Sequence, residues 1–167
     1  RMVLGVEESG RPAVCPLEGF PPMPEISIAH TDDLAVALMA GEACGIDIEP
    51  LQRDVAGILD QFAGPDEITL VGTLQEQQPE DSWPTRLWCA KQAAGKATGT
   101  APASWAADFA AIDGELDGRL LVRHISTGCA YEVQTLCYDG TILAFALASR
   151  SCPLTDVMPK LDKGMHP

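Results

Sequence analysis

The chain has 167 residues with a net charge of −13, enough length for one domain with its own core and too little for two ordinary ones. That charge, with no basic stripe, excludes a nucleic-acid surface; no run reaches transmembrane length and no signal peptide is visible, so a membrane role is not expected. Six cysteines are present, none in a CxxC pair and most in apolar segments, which predicts buried free thiols and a cytoplasmic protein.

Residues 1–24 show little periodicity and end in Pro21-Pro22-Met23-Pro24; they read as a linker or extended arm, consistent with excision from a longer chain that begins before Arg1. Glu25 to His30 alternates as a strand, Thr31-Asp32-Asp33 is a turn, and Leu34 to Ala40 is an apolar β-prone run, which together predict a hairpin. Cys44-Gly45-Ile46-Asp47-Ile48-Glu49-Pro50 follows as a strand. Alternation puts Ile46 and Ile48 on one face and Asp47 and Glu49 on the other. Acidic residues are disfavoured in strands, so the pair has two readings: a half-solvated face, or ligands for a hard divalent cation.

Beyond Pro50 the period becomes helical. Val55, Ile58, Leu59 and Phe62 share a face, and Gly64-Pro65 breaks that helix. Pro65-Asp66-Glu67 opens a second, with acids near its positive end. Gln75 to Asp81 reads as a loop. Ser82 is the expected cap of a third helix, Trp83 to about Ala97, that stops near Gly99. On it Trp88, Gln92 and Lys96 line one side, while Leu87, Ala90, Ala94 and Ala97 offer small residues for close packing. A lysine there can reach a phosphate held by a metal on the acidic strand; the plainer reading is an alanine-rich helix with solvated lysines. The remainder is β-rich, with strands at 108–112, 119–125, 130–138 and 141–148 and an Asp139-Gly140 hairpin turn. Residues 150–167 read as a flexible tail. The fold class expected is α+β, an antiparallel sheet packed on helices.

Three segments resemble, in order, the signature motifs of the 4′-phosphopantetheinyl transferases of the larger, surfactin-type branch. Ser27-Ile28-Ala29-His30 is similar to Ser-Leu-Ser-His, Gly45-Ile46-Asp47-Ile48-Glu49 matches Gly-x-Asp-x-Glu, and Trp88 to Lys96 matches Trp-x-x-Lys-Glu-x-x-x-Lys with one departure. The resemblance covers residues 25–149 and implies transfer of the phosphopantetheine arm of coenzyme A to a serine of an apo acyl carrier protein, with release of 3′,5′-ADP and a need for Mg2+. It implies Asp47, Glu49 and Gln92 as metal ligands, Lys96 and Glu49 as catalytic residues, and His30, Lys91, Lys96 and Arg53 as coenzyme A contacts.

Gln92 is the departure: an amide oxygen can bind a metal but takes no proton, so base duty passes to Glu49 or to a metal-bound water. Surfactin-type enzymes are pseudo-dimers, and this chain matches the end of the first half and the whole second half. Completion of the site across a homo-oligomer, a trimer by analogy with the short carrier-protein synthases, is therefore expected. The resemblance also extends to terminal domains of enediyne polyketide synthases. The alternative, which Gln92 favours, is a catalytically inert domain of the same fold that holds coenzyme A or docks a carrier.

Overall fold

A computed structural model describes residues 4–7, 10–15, 24–99 and 105–148. The flexible tail expected over 150–167 lies outside these residues. Two short strands, β1 (Leu4–Val6) and β2 (Pro12–Val14), form an antiparallel hairpin within the segment expected as an arm. It is tied to the next strand by an ion pair from Arg11 to Glu25. β3 (Glu25–His30) and β4 (Ala35–Ala40) form the predicted second hairpin.

β5 (Cys44–Pro50) then enters a five-stranded antiparallel sheet in the order β5-β9-β8-β7-β6. A 3-10 turn (Ala56–Ile58) and α1 (Leu59–Phe62) lead to α2 (Pro65–Gln77) and α3 (Trp83–Thr98). A short α4 (Trp105–Asp108) precedes β6 (Phe109–Gly114), β7 (Arg119–His124), β8 (Ala130–Tyr138) and β9 (Thr141–Leu147). The architecture is α+β, as expected. Asp139 and Gly140 both have positive φ, the backbone that a tight two-residue hairpin turn demands.

One helix end and one cap differ from expectation. α2 continues to Gln77, because Leu74 is buried and carries the helix two residues past the start of the polar run. Ser82 occupies the N-cap position of α3, yet its hydroxyl pairs with the Thr85 hydroxyl at 2.7 Å and caps no backbone amide. The thiols also divide: Cys44 and Cys89 are buried and free, Cys15 and Cys137 are free but not buried, and Cys129 is disulfide-bonded.

The main core lies between α3 and one face of the sheet. Leu87, Ala90, Ala94 and Ala97, the predicted small-residue side, pack with Ile142, Ala144 and Ala146 of β9 and Val122 and Val133 beyond. A second, smaller cluster sits on the opposite face, where Ile46 and Ile48 meet Ala29 of β3 together with Val36 and Leu38 of β4. The β3–β4 hairpin shares no backbone ladder with β5. The Ile46 N–H donates instead to the Ser27 hydroxyl at 3.0 Å, a side-chain bridge between the two units.

Burial of β5 on both sides follows from its sequence. Ile46 and Ile48 supply the apolar face. On the other, Gly45 lets the strand backbone approach α3: a Cβ at that position would stand 1.9 Å from the Ala93 carbonyl oxygen and 2.7 Å from the Ala97 nitrogen. Both of those atoms belong to a buried helix backbone, which has nowhere to move. We expect Gly45→Ala to lower stability by at least about 1–3 kcal/mol, the usual cost of overpacking. Urea unfolding checks it; an unchanged midpoint would show that strand and helix are not in this contact.

Candidate active site

The close approach of β5 and α3 decides what happens to the two acids. Asp47 and Glu49 share the Gly45 face, so they point toward the helix and not toward bulk water. Asp47 is only 5% exposed. Of the two sequence readings, the half-solvated strand is therefore wrong for Asp47. On α3, residues 88, 92 and 96 are successive turns of one side, and all three line a cleft of about 1050 Å³ shared with Asp47 and Glu49. His30 and Arg53 line it too, and the Asp139-Gly140 turn closes one edge.

Each acid already has a cation. Lys96 Nζ donates to Asp47 Oδ1 at 2.8 Å and to the Ile46 carbonyl at 2.9 Å. Arg53 donates to Glu49 Oε1, and the Trp88 indole N–H donates to the same oxygen at 3.1 Å. The Arg53 guanidinium lies 5.2 Å from the centre of the Trp88 ring, and Phe62 meets that ring edge-on at 5.0 Å. Trp88 thus does more than the packing expected of it. The signal was present in its spacing, four residues before Gln92 and eight before Lys96.

Asp47 Oδ2 is buried without a hydrogen-bond partner. Burial pushes the Asp47 carboxyl up to about 6, and the Lys96 ammonium offsets this only in part. The Cys89 thiol beside it is raised well above its ordinary value by burial and by the charges of Asp47 and Glu49, so it stays a thiol. Asp47 Oδ2 lies in the interior beside the Cys89 thiol, and the cleft that Asp47 lines with Glu49 and the Gln92 amide offers an all-oxygen donor set, which fits a hard divalent cation such as Mg2+. Among the described residues, no group of three or more His, Cys, Asp or Glu comes together to hold a metal. Gln92 lines the same cleft and carries an amide oxygen, the remaining member of the expected ligand set.

Lys91 does not join the site. It is buried on another side of α3, where its ammonium donates to the Phe62 carbonyl at 2.6 Å and to Glu67 Oε2 at 3.1 Å. Burial holds its pKa below the ordinary lysine value. The structure thus places Lys91, expected among the coenzyme A contacts, outside the cleft lining and in a buried ion pair. The reason is Glu67, which also accepts the Gly64 and Ala111 amides and so fixes α2, α3 and β6 to one buried carboxylate. Arg86 is likewise structural, forked onto Asp81 and donating to Thr135.

Among the described residues the cleft is lined by five acids (Asp32, Asp33, Asp47, Glu49 and Asp139) against Lys96, Arg53 and His30. No described helix is long and apolar enough to cross a membrane. A family model for the 4′-phosphopantetheinyl transferase superfamily matches residues 43–145, more than half of the chain, and the chain belongs to that superfamily. No curated protein matches it.

The raised Asp47 carboxyl carries a pH dependence. Its folded-state pKa lies above the ordinary aspartate value, so the folded chain binds the proton more tightly than the unfolded one. Its stabilising contribution is full below that value and is lost as pH rises to about 6, a loss on the order of 2–3 kcal/mol. We expect chelator-treated Asp47→Asn to lack this loss and to be more stable than wild type at pH 8. Thermal unfolding across pH checks it; parallel profiles would mean that Asp47 is not buried as an acid.

Proposed function

We propose that this chain transfers the 4′-phosphopantetheine arm of coenzyme A to a serine of an apo acyl carrier protein, with Mg2+ and with release of 3′,5′-ADP. The observation that carries the reading is the direct pairing of Asp47 on β5 with Lys96 on α3 in the wall of a cleft that Glu49 and Gln92 also line. Superfamily membership supports it independently. In the reaction the serine oxygen forms a bond to phosphorus, the bond from that phosphorus to the ADP oxygen breaks, and the serine proton passes to a base.

Such a step needs alignment and neutralised charge more than covalent help. Asp47, Glu49 and Gln92 would hold the Mg2+, which supplies charge neutralisation at the diphosphate. Lys96 lies on the same wall of the cleft and would offset charge on the leaving oxygen. Arg53 and His30 would contact phosphate. Glu49 is the assigned base, since the Gln92 amide accepts no proton at working pH. The five acids of the cleft lining exceed its cations, which supports a homo-oligomer, a trimer in this reading, whose neighbouring copy brings further positive charge for the coenzyme A phosphates. The transferase unit would span residues 25–149, with a cytoplasmic, polyketide-type carrier as its substrate.

Gln92 also favours a second reading, an inert member of the fold that binds coenzyme A or docks a carrier without transfer. Incubation of the chain with apo carrier protein, coenzyme A and Mg2+, followed by intact-mass measurement, separates the two. We expect the carrier to gain one phosphopantetheine; binding without mass gain establishes the inert reading.

In the same assay Asp47→Ala should reduce transfer at least a hundredfold with the fold retained by circular dichroism. Turnover equal to wild type would remove Asp47 from the chemistry. Gln92→Glu should keep or raise the rate, and a large fall would give the amide a separate task.

A further inference from the structure

The carboxylates of the cleft are not equally held. Asp47 is deep, with a side chain 8% exposed, and its Lys96 partner is 22% exposed. Glu49 sits nearer the mouth, with a side chain 13% exposed, and its Arg53 partner is 48% exposed. One oxygen of Glu49 takes both of its donors, the Trp88 indole and the Arg53 guanidinium. These two donors differ in kind. Trp88 is anchored on α3, wedged by Phe62 and close to the core. Arg53 leaves from a turn after β5, and no other hydrogen bond or ion pair of its guanidinium is present in the described structure beyond its place over the Trp88 ring.

Charge makes the difference matter. At the two β5 acids themselves, Asp47 is matched by Lys96 and Glu49 by Arg53, while Asp32, Asp33 and Asp139 keep the wider cleft acidic. A divalent ion brought onto the same two acids duplicates that positive charge. The exposed cation is the one with somewhere to go, since the contact it gives up is weakened by solvent screening.

We propose that Glu49 is held by a two-part brace, in which Trp88 is the fixed positioning residue and Arg53 is an exchangeable placeholder that a divalent cation displaces into the cleft. Trp88 keeps the carboxylate turned toward Asp47 whether or not the ion is bound, as a partner in the outer sphere of a metal site does. Arg53 covers Glu49 until the ion arrives and then faces the cleft, where an anionic ligand would lie. Binding of the ion therefore frees the positive charge that the diphosphate needs. This rests on the metal role of Glu49 in the proposed function.

The test is binding, with no turnover required. Mg2+ is titrated into the whole chain and into two variants by calorimetry, with circular dichroism to confirm the fold. Trp88→Phe keeps a ring against Phe62 and removes only the N–H donor. It should weaken Mg2+ about tenfold, the lower end of the range for losing an outer-sphere partner. Arg53→Gln removes the competitor and should tighten Mg2+ about two- to fivefold.

Because loss of any nearby positive charge would also tighten a cation, displacement itself is read by nitrogen–proton NMR of the Arg53 guanidinium. Its Nε–H signal should move and exchange faster with water as Mg2+ saturates the wild type. A stationary Arg53 signal at saturating Mg2+, or equal affinity of wild type and Trp88→Phe, overturns the brace while the metal reading of Asp47 stands. Absence of any Mg2+ binding by the wild type overturns both. If Trp88→Phe fails to fold, the Arg53 signal and Arg53→Gln still decide.

Discussion

The structure depends on one close contact, the backbone of β5 laid against the backbone of α3 at Gly45 and Ala93. Only a residue without Cβ permits it. The neighbours on β9 are equally small on that face, Ala146 beside Gly45 and Ala144 beside Asp47, so the helix settles close along the sheet edge. With the two elements this near, a lysine on the last turn of α3 reaches an aspartate in the middle of β5 without stretching. The same proximity shuts water away from Asp47, which raises its pKa and leaves one of its oxygens unpartnered. Packing and chemistry share a single cause here.

That arrangement costs stability. A buried carboxylate whose second oxygen has no partner is unfavourable unless something else satisfies it. Natural folds tolerate such a conflict where a ligand resolves it, and in the function proposed above that ligand is a divalent cation. Elsewhere the protein obeys the opposite rule. Glu67 is as deeply buried as Asp47, yet both its oxygens are used, by Lys91 and by the Gly64 and Ala111 amides. The contrast between a satisfied and an unsatisfied buried acid separates scaffold from site.

Much of this was legible in the sequence. The alternation of Ile46, Asp47, Ile48 and Glu49 placed the acids on one face, and the four-residue spacing of Trp88, Gln92 and Lys96 placed those three on the facing side of a helix. The small residues of α3 foretold the tight packing. What stayed hidden was partnership across long sequence separations. Lys91 looked like one more basic residue of the motif helix, because nothing near it in the chain reveals Glu67 twenty-four residues earlier as its mate. Trp88 read as core filling, since a bulky ring on a buried helix usually is; its N–H bond to Glu49 spans thirty-nine residues. The Ser27 bridge to the Ile46 amide was equally invisible, although Ser27 lay inside a recognised motif.

The most direct measurement of the central claim is anomalous diffraction from crystals grown with Mn2+ and coenzyme A. The account predicts a single strong peak in the cleft within about 2.0–2.3 Å of Asp47 Oδ2 and a Glu49 oxygen, with the diphosphate between that ion and Lys96. A peak away from β5, or coenzyme A bound with Asp47 still touching only Lys96, would contradict it.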